Sequence, residues 1–323
     1  MILQLKSKNP LAITILVVVF LLLKTPFFFY QYDVPTNPTN NWWTTVSFIS
    51  INNFLLEFVF AQLIIIIQAI WLNYLFNVNG FNKEFSFVPL LYFIIASCIF
   101  PSYNVLSAYH FINLTILVLL QLLFALSTSI NKSICLLIGI VIGLIILQLP
   151  SFVIGVPIVF AAIFIVKPFQ VKDYLLIFFG MLLPLYFAFS ICYIFDIAFF
   201  IDNFSIFPFQ FISFTKNYFQ YIPLALMALY VIFSFISLRG VMFATSVKTR
   251  KNLTAFHVFS MSLLATAIFT YTNDTTVFSI LLIPITVYNS FLMLRMRLPK
   301  WRTILHYALL LTIIISHILY IFY

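Results

Sequence analysis

Charged residues are scarce in this sequence: 16 Lys plus Arg and 7 Asp plus Glu, or 7% of 323 residues. An ordinary soluble domain carries about 25%. Residues of the apolar types make up 64% of the chain, and Phe alone fills 42 positions. A soluble fold cannot keep that much apolar surface away from water. The composition therefore disfavours soluble enzymes, secreted disulfide scaffolds, disordered proteins and nucleic-acid binders, and predicts an all-α, multi-spanning membrane protein.

Motifs that hold metals or nucleotides are also missing. The three cysteines, Cys98, Cys135 and Cys192, each lie in an apolar run without a CxxC pattern, so we interpret them as small buried side chains. The sequence contains no P-loop, GxGxxG, GxSxG or HExxH motif and no haem motif. The cofactor therefore stays unknown; a divalent metal is possible, but no metal-ligand spacing indicates one.

Apolar segments separated by polar breaks predict the membrane spans. A helix needs about 20 apolar residues to cross the hydrocarbon core. The first segment follows Lys6 and Lys8 but has no small-residue cleavage site, so we expect it to be retained as a span. The eleven predicted spans are 11–30, 52–76, 86–101, 108–126, 134–148, 152–166, 174–195, 221–238, 253–272, 276–293 and 303–322.

The basic residues predict the orientation of these spans. With the N-terminus in the cytoplasm, 14 of the 16 Lys and Arg residues lie in cytoplasmic segments, and only Lys24 and Lys216 lie outside. The positive-inside rule therefore favours an N-in, C-out topology for a single integral-membrane domain over 1–323. The heavy use of Phe, Ile, Asn and Lys is typical of AT-rich bacterial genomes, which indicates a bacterial inner membrane.

The region between Lys132 and Lys167 tests the span count. Both lysines are expected in the cytoplasm, yet only 34 residues separate them, whereas two full crossings need about 40. We expect either a pair of short helices or a hairpin that does not fully cross. Its turn, at Gln148, Pro150 and Ser151, is predicted to be sheltered against protein or a water-filled cavity near the outer side. A Gly139-x-x-x-Gly143 pattern would let another helix approach closely.

Five of the seven acidic residues fall on the predicted outer side, together with His110. Asp33 directly follows the first span, where it is either a general base or metal ligand or an ordinary loop carboxylate. Glu57 lies inside the second span and either faces the bundle interior or reaches the outer interface. His110 ends the outer loop that begins at Pro101 and is either part of an outer cleft or an interfacial side chain. By contrast, Glu84 and Asp173 are expected to be solvated loop charges.

Two outer segments combine aromatic and polar residues. The first, 31–51, contains Trp42 and Trp43, which suit an interfacial helix at headgroup depth. The second, 196–220, contains Asp196 and Asp202 among Phe residues and is typical of an amphipathic helix on the membrane. The two carboxylates are six residues apart, which does not bring them together on one helix face. We take these four residues, together with Gln148 and Ser151 of the hairpin turn, as candidate binding residues.

The layout of residues 1–195 resembles the GT-C superfamily of integral-membrane glycosyltransferases, which use polyprenyl-phosphate-linked sugars. The resemblance has three parts: an outer acidic residue, Asp33, after the first span; the hairpin with Gly139-x-x-x-Gly143 and Leu149-Pro150-Ser151; and a span containing Gly180-Met-Leu-Leu-Pro184. It implies a GT-C-like fold with Asp33 as the catalytic acid or base and a polyprenyl-phosphate lipid as substrate. The family often has a paired acidic motif at that place, whereas here Asp33 stands alone.

Three functions follow as alternatives. The first is transfer of a sugar from a lipid carrier at the outer face, with Asp33 as the base and Glu57 and His110 lining the cleft. The second is a non-catalytic scaffold or subunit that binds a membrane-protein partner, which the scarcity of polar residues favours. The third is a transporter, for which the interior offers only scattered polar residues: Gln62, Gln68, Asn113, Gln121 and Asn289.

Overall fold

The computed structural model contains α-helices and short 3-10 turns, and no strand among the residues it describes. Those residues are 10–29, 54–82, 84–127, 132–194, 222, 225–229, 231–232, 234, 245–270, 275–295 and 299–322. Within them the helices are α1 (Pro10–Phe29), α2 (Phe54–Val78), α3 (Val88–Ser97), α4 (Ala108–Leu126), α5 (Lys132–Gln148), α6 (Val156–Val166), α7 (Val171–Ile194), α8 (Val247–Phe269), α9 (Leu282–Arg295) and α10 (Pro299–Phe322).

Five apolar segments are long enough to cross a membrane: Phe54–Val78, Ala108–Leu126, Val171–Ile194, Val247–Phe269 and Val277–Leu294. The prediction of a helical membrane protein is therefore confirmed at this level. Several other predicted spans correspond to shorter apolar helices, so the count of eleven and the orientation stay predictions. These segments differ strongly in burial. In Val277–Leu294, 83% is buried, whereas only 17% is buried in the most apolar 18-residue stretch of α7.

The predicted span 86–101 is shorter than expected. Helix α3 has ten residues, which extend about 15 Å, half the thickness of the hydrocarbon core. A 3-10 turn, Pro101–Asn104, follows it. Cys98, Phe100, Tyr103 and Asn104 are all buried, so the expected outer loop 101–110 begins inside the bundle. Irregular backbone at such a place must be packed against protein.

The end of α2 is shaped by a glycine. Gly80 has φ 66°, a left-handed conformation that favours glycine. The backbone N–H of Phe81 donates to the carbonyl of Phe76 at 3.3 Å, which closes the helix in the manner of a Schellman motif. This reversal drives Phe81 into the bundle, where its ring contacts those of Phe76, Phe124, Phe256 and Phe291.

Helices α5 and α7 pack backbone against backbone. A Cβ atom added to Gly139 would lie 2.2 Å from the Ile177 carbonyl oxygen, and one added to Gly143 would lie 2.4 Å from that of Met181. Across the contact, a Cβ on Gly180 would lie 2.5 Å from the Leu136 carbonyl oxygen. The close approach predicted from the GxxxG pattern is confirmed, and its partner is the Gly180 face of α7.

The central hairpin consists of two short helices, as predicted. Helices α5 and α6 have 17 and 11 residues and are separated by the 3-10 turn Pro150–Ile154. The turn is sheltered: Gln148 and Ser151 are 8% and 2% exposed. The Thr115 hydroxyl donates to Gln148 Oε1 at 3.2 Å, and Ser151 shares a hydrogen bond with Thr270. The turn is thus joined to α4 and to the end of α8.

The structure corrects the prediction that Asp173 is a solvated loop charge. Glu84 is exposed, as expected, but Asp173 is only 2% exposed. Its Oδ2 lies 2.6 Å from Lys167 Nζ, and this hydrogen bond raises the pKa of Lys167. The pair closes the short connection between α6 and α7. A buried carboxylate requires such a partner because burial removes its hydration.

Candidate functional site: a buried polar cluster beside α4

Polar side chains from four helices and one turn meet at the N-terminal end of α4. We call this group the polar cluster; it consists of Lys24 (α1), Gln62 and Gln68 (α2), Ser97 (α3), Tyr103 and Asn104 (3-10 turn), and His110 and Asn113 (α4). All eight are less than a tenth exposed. The short helix α3 makes the cluster possible, because it ends within the bundle and brings its following turn against α1, α2 and α4.

Lys24 supplies the positive charge of the polar cluster. It is 3% exposed; Nζ donates to Ser97 Oγ at 2.8 Å and also to Asn104 Oδ1. Its ammonium lies 5.7 Å from the centre of the Phe27 ring. Among the described residues no carboxylate pairs with it. The Cys98 thiol also lies beside it. A buried ammonium without a carboxylate partner has lost several kcal/mol of hydration that such contacts only partly replace.

Gln68 connects α2 with the 3-10 turn and with α4. Its Nε2 donates to the His110 carbonyl at 2.7 Å, and its Oε1 accepts from the Tyr103 hydroxyl at 2.8 Å. The Tyr103 hydroxyl in turn accepts from Asn113 Nδ2 at 3.0 Å, and the same amide reaches the Ser279 carbonyl at 3.1 Å. The Tyr103 hydroxyl thus both donates and accepts within the bundle.

The His110 ring is held on two sides. It stacks on Tyr103 with ring centres 4.1 Å apart and planes 4° from parallel. His110 Nδ1 lies 3.2 Å from the Ser107 N–H nitrogen, 3.0 Å from the Ser107 hydroxyl and 3.2 Å from the Ser107 carbonyl oxygen, so Ser107 holds the ring in either tautomer. The other ring nitrogen, Nε2, has no side-chain hydrogen-bond partner among the described residues. His110 therefore presents a polar nitrogen inside the polar cluster.

Other atoms around the polar cluster also lack partners within the described part of the chain: Gln62 Oε1, Asn113 Oδ1 and Ser279 Oγ. Buried polar atoms without partners each cost about 1–3 kcal/mol. Together with Lys24 and His110 they offer donors, acceptors and one positive charge. Such a set suits a ligand that is anionic and hydroxylated. The described residues hold no group of three His, Cys, Asp or Glu that would bind a metal ion.

Some of the predicted site residues lie in the described part of the chain, and only one of them belongs to the polar cluster. Asp33, Trp42, Trp43, Asp196 and Asp202 lie outside the described residues. Glu57 is half-buried in the first turn of α2, where the helix dipole stabilises a carboxylate. His110 is completely buried and belongs to the polar cluster, not to an interface. Gln148 and Ser151 are buried in contacts between helices, Gln148 with Thr115 of α4 and Ser151 with Thr270 at the end of α8.

Sequence reasoning missed most of the polar cluster. Lys24 was counted on the outer side, near the end of the predicted span 11–30, and its burial against other helices was not predicted. Gln62, Gln68 and Asn113 were counted as scattered, yet they converge. One signal was available: Gln68 lies on the stripe Ala61, Ile65, Gln68 and Leu72, whose spacing predicts one buried helix face. The pairing with Tyr103 and Asn104 has no such signal, because it depends on where α3 ends.

Replacing Tyr103 by Phe tests whether the polar cluster is a connected network. We expect the free energy of unfolding to fall by about 1–3 kcal/mol, because Gln68 Oε1 loses its donor in a buried place. Tyr174→Phe is the matched control, since the Tyr174 hydroxyl has no partner among the described residues. Thermal unfolding in detergent measures the stability of both variants. Equal melting temperatures for the two variants would show that the Tyr103 hydroxyl contributes nothing.

Comparison with known proteins gives one family. A model for a family of unknown function, DUF6427, matches residues 42–323. This region includes every member of the polar cluster except Lys24, which lies in α1. No curated protein and no solved structure matches the chain. The family model covers most of the sequence, and the chain therefore belongs to the DUF6427 family.

Proposed function

We propose that this protein is a bacterial inner-membrane glycosyltransferase of GT-C-like architecture, which binds a polyprenyl-phosphate-linked sugar at its outer side. In this proposal Lys24 holds the phosphate, the unpartnered polar atoms around it hold part of the sugar, and Asp33 is the base that activates the acceptor. The observation that carries it is Lys24, a buried ammonium with no carboxylate partner among the described residues, held by the side-chain oxygens of Ser97 and Asn104 and by the Cys98 thiol. A phosphodiester would provide the missing negative charge and a charge-assisted hydrogen bond.

The contacts between helices support the outer placement of the polar cluster. In the N-in topology, side chains that bond to one another come from segments at the same predicted depth. On the outer side these are Lys24 with Asn104, Thr115 with Gln148, and Ser151 with Thr270; on the inner side they are Lys167 with Asp173 and Asn79 with Asn252. If the alternation of the spans were wrong, some hydrogen bonds would join residues predicted on the outer side to residues predicted on the inner side.

The apolar surface of α1 and α2 also supports a lipid substrate. These are the helices that carry Lys24 and Gln68. Each also exposes half or more of several apolar side chains: Leu21 and Leu22 on α1, and Leu63 and Ile67 on α2. A polyprenyl chain is apolar and would lie along such a surface, with its phosphate at the depth of Lys24. The hydrocarbon would contribute about 0.8 kcal/mol for each CH₂ group buried.

Binding and transfer are tested separately in reconstituted vesicles. Lys24→Met should weaken binding of a polyprenyl phosphosugar at least about tenfold, because one charge-assisted hydrogen bond is lost. Asp33→Asn should leave binding intact and abolish sugar transfer. Glu57→Gln and His110→Gln test the two other predicted residues of the cleft. Undiminished transfer by both Asp33→Asn and Glu57→Gln would refute the catalytic proposal.

A second function is a lipid-binding subunit without catalysis. It is favoured because the described members of the polar cluster include a cation, amides and hydroxyls, but no carboxylate to act as a base. Under this alternative Lys24→Met still weakens lipid binding, while Asp33→Asn changes nothing. Copurification of a stable membrane partner with lipid-loaded protein would favour it over the transferase.

A further inference from the structure

Lys24 is held in place by two residues that the proposed ligand would have to replace. Its ammonium donates to Ser97 Oγ at 2.8 Å and to Asn104 Oδ1, and the residue is 3% exposed. Both acceptors belong to the end of α3 and the turn that follows it. In this arrangement the lysine points into protein, and the Cys98 thiol is a third neighbour of its ammonium.

The two acceptors are themselves firmly positioned. The Ser97 hydroxyl donates to the Ile94 carbonyl at 2.7 Å. Asn104 Nδ2 donates to the Phe100 carbonyl at 3.2 Å, and the backbone carbonyl of Asn104 accepts from Gln62 Nε2 at 3.1 Å. Ser97 and Asn104 therefore stay in place when Lys24 leaves, and any movement must come from α1.

Helix α1 has a hinge next to its lysine. Pro26 lies inside the helix and has no N–H to donate to the carbonyl of Leu22, four residues before it. The Thr25 hydroxyl donates to that carbonyl instead, at 3.2 Å. Proline positions of this kind are where helices kink. The described contacts of α1 with the remainder of the bundle run mainly to α3 and the 101–104 turn.

We propose that Ser97 and Asn104 hold Lys24 in a closed, ligand-free position, and that α1 bends at Pro26 to transfer the ammonium from them to the phosphate of an incoming lipid. This inference rests on the proposed function and deepens it, because it names the contact that competes with the substrate. The exchange is favourable since an anionic oxygen makes a stronger bond to an ammonium than an amide or hydroxyl oxygen does.

The substitution Asn104→Asp tests the competition directly. A carboxylate at this position would pair with Lys24 and neutralise it, so binding of lipid phosphate should weaken at least about tenfold. Asn104→Leu has nearly the same volume but cannot accept, and Ser97→Ala also removes an acceptor. Both of these variants should bind as tightly as the natural protein or more tightly, because Lys24 gives up less on leaving.

The probe is farnesyl phosphoglucose, a phosphodiester with one negative charge, and the neutral control is farnesyl glucoside. Binding to full-length protein in nanodiscs is measured after gel filtration has selected the folded fraction of each variant. Opposite effects of Asn104→Asp and Asn104→Leu support the transfer of Lys24. Equal losses in both, or no loss in Asn104→Asp, overturn it while leaving the lipid site intact. If the natural protein does not prefer the phosphodiester to the glucoside, the proposed function fails as well.

Discussion

Gly139→Ala should cause a large loss of folded protein. The added Cβ would lie 2.2 Å from the Ile177 carbonyl oxygen and 2.9 Å from the Gly180 Cα. Both neighbours are backbone atoms, which no change of rotamer can move. Helix α5 must therefore shift away from α7, which opens the packing on both sides of Gly139 and Gly143.

Two effects of this substitution oppose each other. Alanine favours a helix over glycine by about 0.5–1 kcal/mol. Overpacking of a rigid contact costs about 1–3 kcal/mol and occasionally more, and a contact to backbone at this distance belongs to the costly end. We therefore expect net destabilisation, measured as a lower melting temperature in detergent and a smaller monodisperse fraction on gel filtration.

Leu137→Ala is the control for Gly139→Ala. Leu137 lies on the same helix but is 45% exposed, so its truncation should leave the melting temperature nearly unchanged. Gly143→Ala and Gly180→Ala should act in the same direction as Gly139→Ala, because both meet backbone oxygens. A stability of Gly139→Ala equal to that of the natural protein would show that α5 and α7 are not in direct backbone contact.

Phe81→Ala should lower the free energy of unfolding by about 3–5 kcal/mol, the cost of removing a buried aromatic ring and leaving a cavity. The Phe81 ring is 2% exposed. Its centre lies 5.4 Å from that of Phe124, 5.8 Å from that of Phe291 and 6.3 Å from that of Phe256. These rings belong to α4, α9 and α8, so one side chain joins three helices.

Phe179→Ala provides the comparison for Phe81→Ala. Phe179 is 61% exposed on α7, and its removal leaves no cavity inside the bundle. The melting temperature of Phe81→Leu should lie between those of Phe81→Ala and Phe179→Ala, because leucine keeps part of the buried volume. Melting temperatures that rank the variants in any other order would contradict the central position of Phe81.

The central hairpin was accessible to sequence reasoning. Spacing between Lys132 and Lys167 was too short for two full crossings, and the structure has two short helices with a 3-10 turn at Pro150. The glycine pattern on α5 was equally informative. Both features are local: a proline and a chain length limit the helices, and a glycine marks where a backbone can approach.

Longer-range features were not accessible. Asp173 follows Lys172 in the sequence, but its charge is paired with Lys167, five residues before that lysine. Lys24 was counted on the outer side at the end of the span 11–30, whereas the structure buries it within the bundle. In both cases the partners of the buried charge lie at other positions of the chain, and a single sequence does not name them.

Composition and hydropathy were sufficient to establish a helical membrane protein, because a chain with 7% charged residues cannot cover its apolar surface in water. The same reasoning extends to the eleven spans and the N-in orientation, which stay predictions. The polar cluster depended on three-dimensional packing. Helix α3 ends after ten residues, and only this early end brings Tyr103 and Asn104 to Lys24, Gln68 and Asn113. Hydrogen bonds act over about 3 Å, so no pattern along the chain reveals which distant residues will share them.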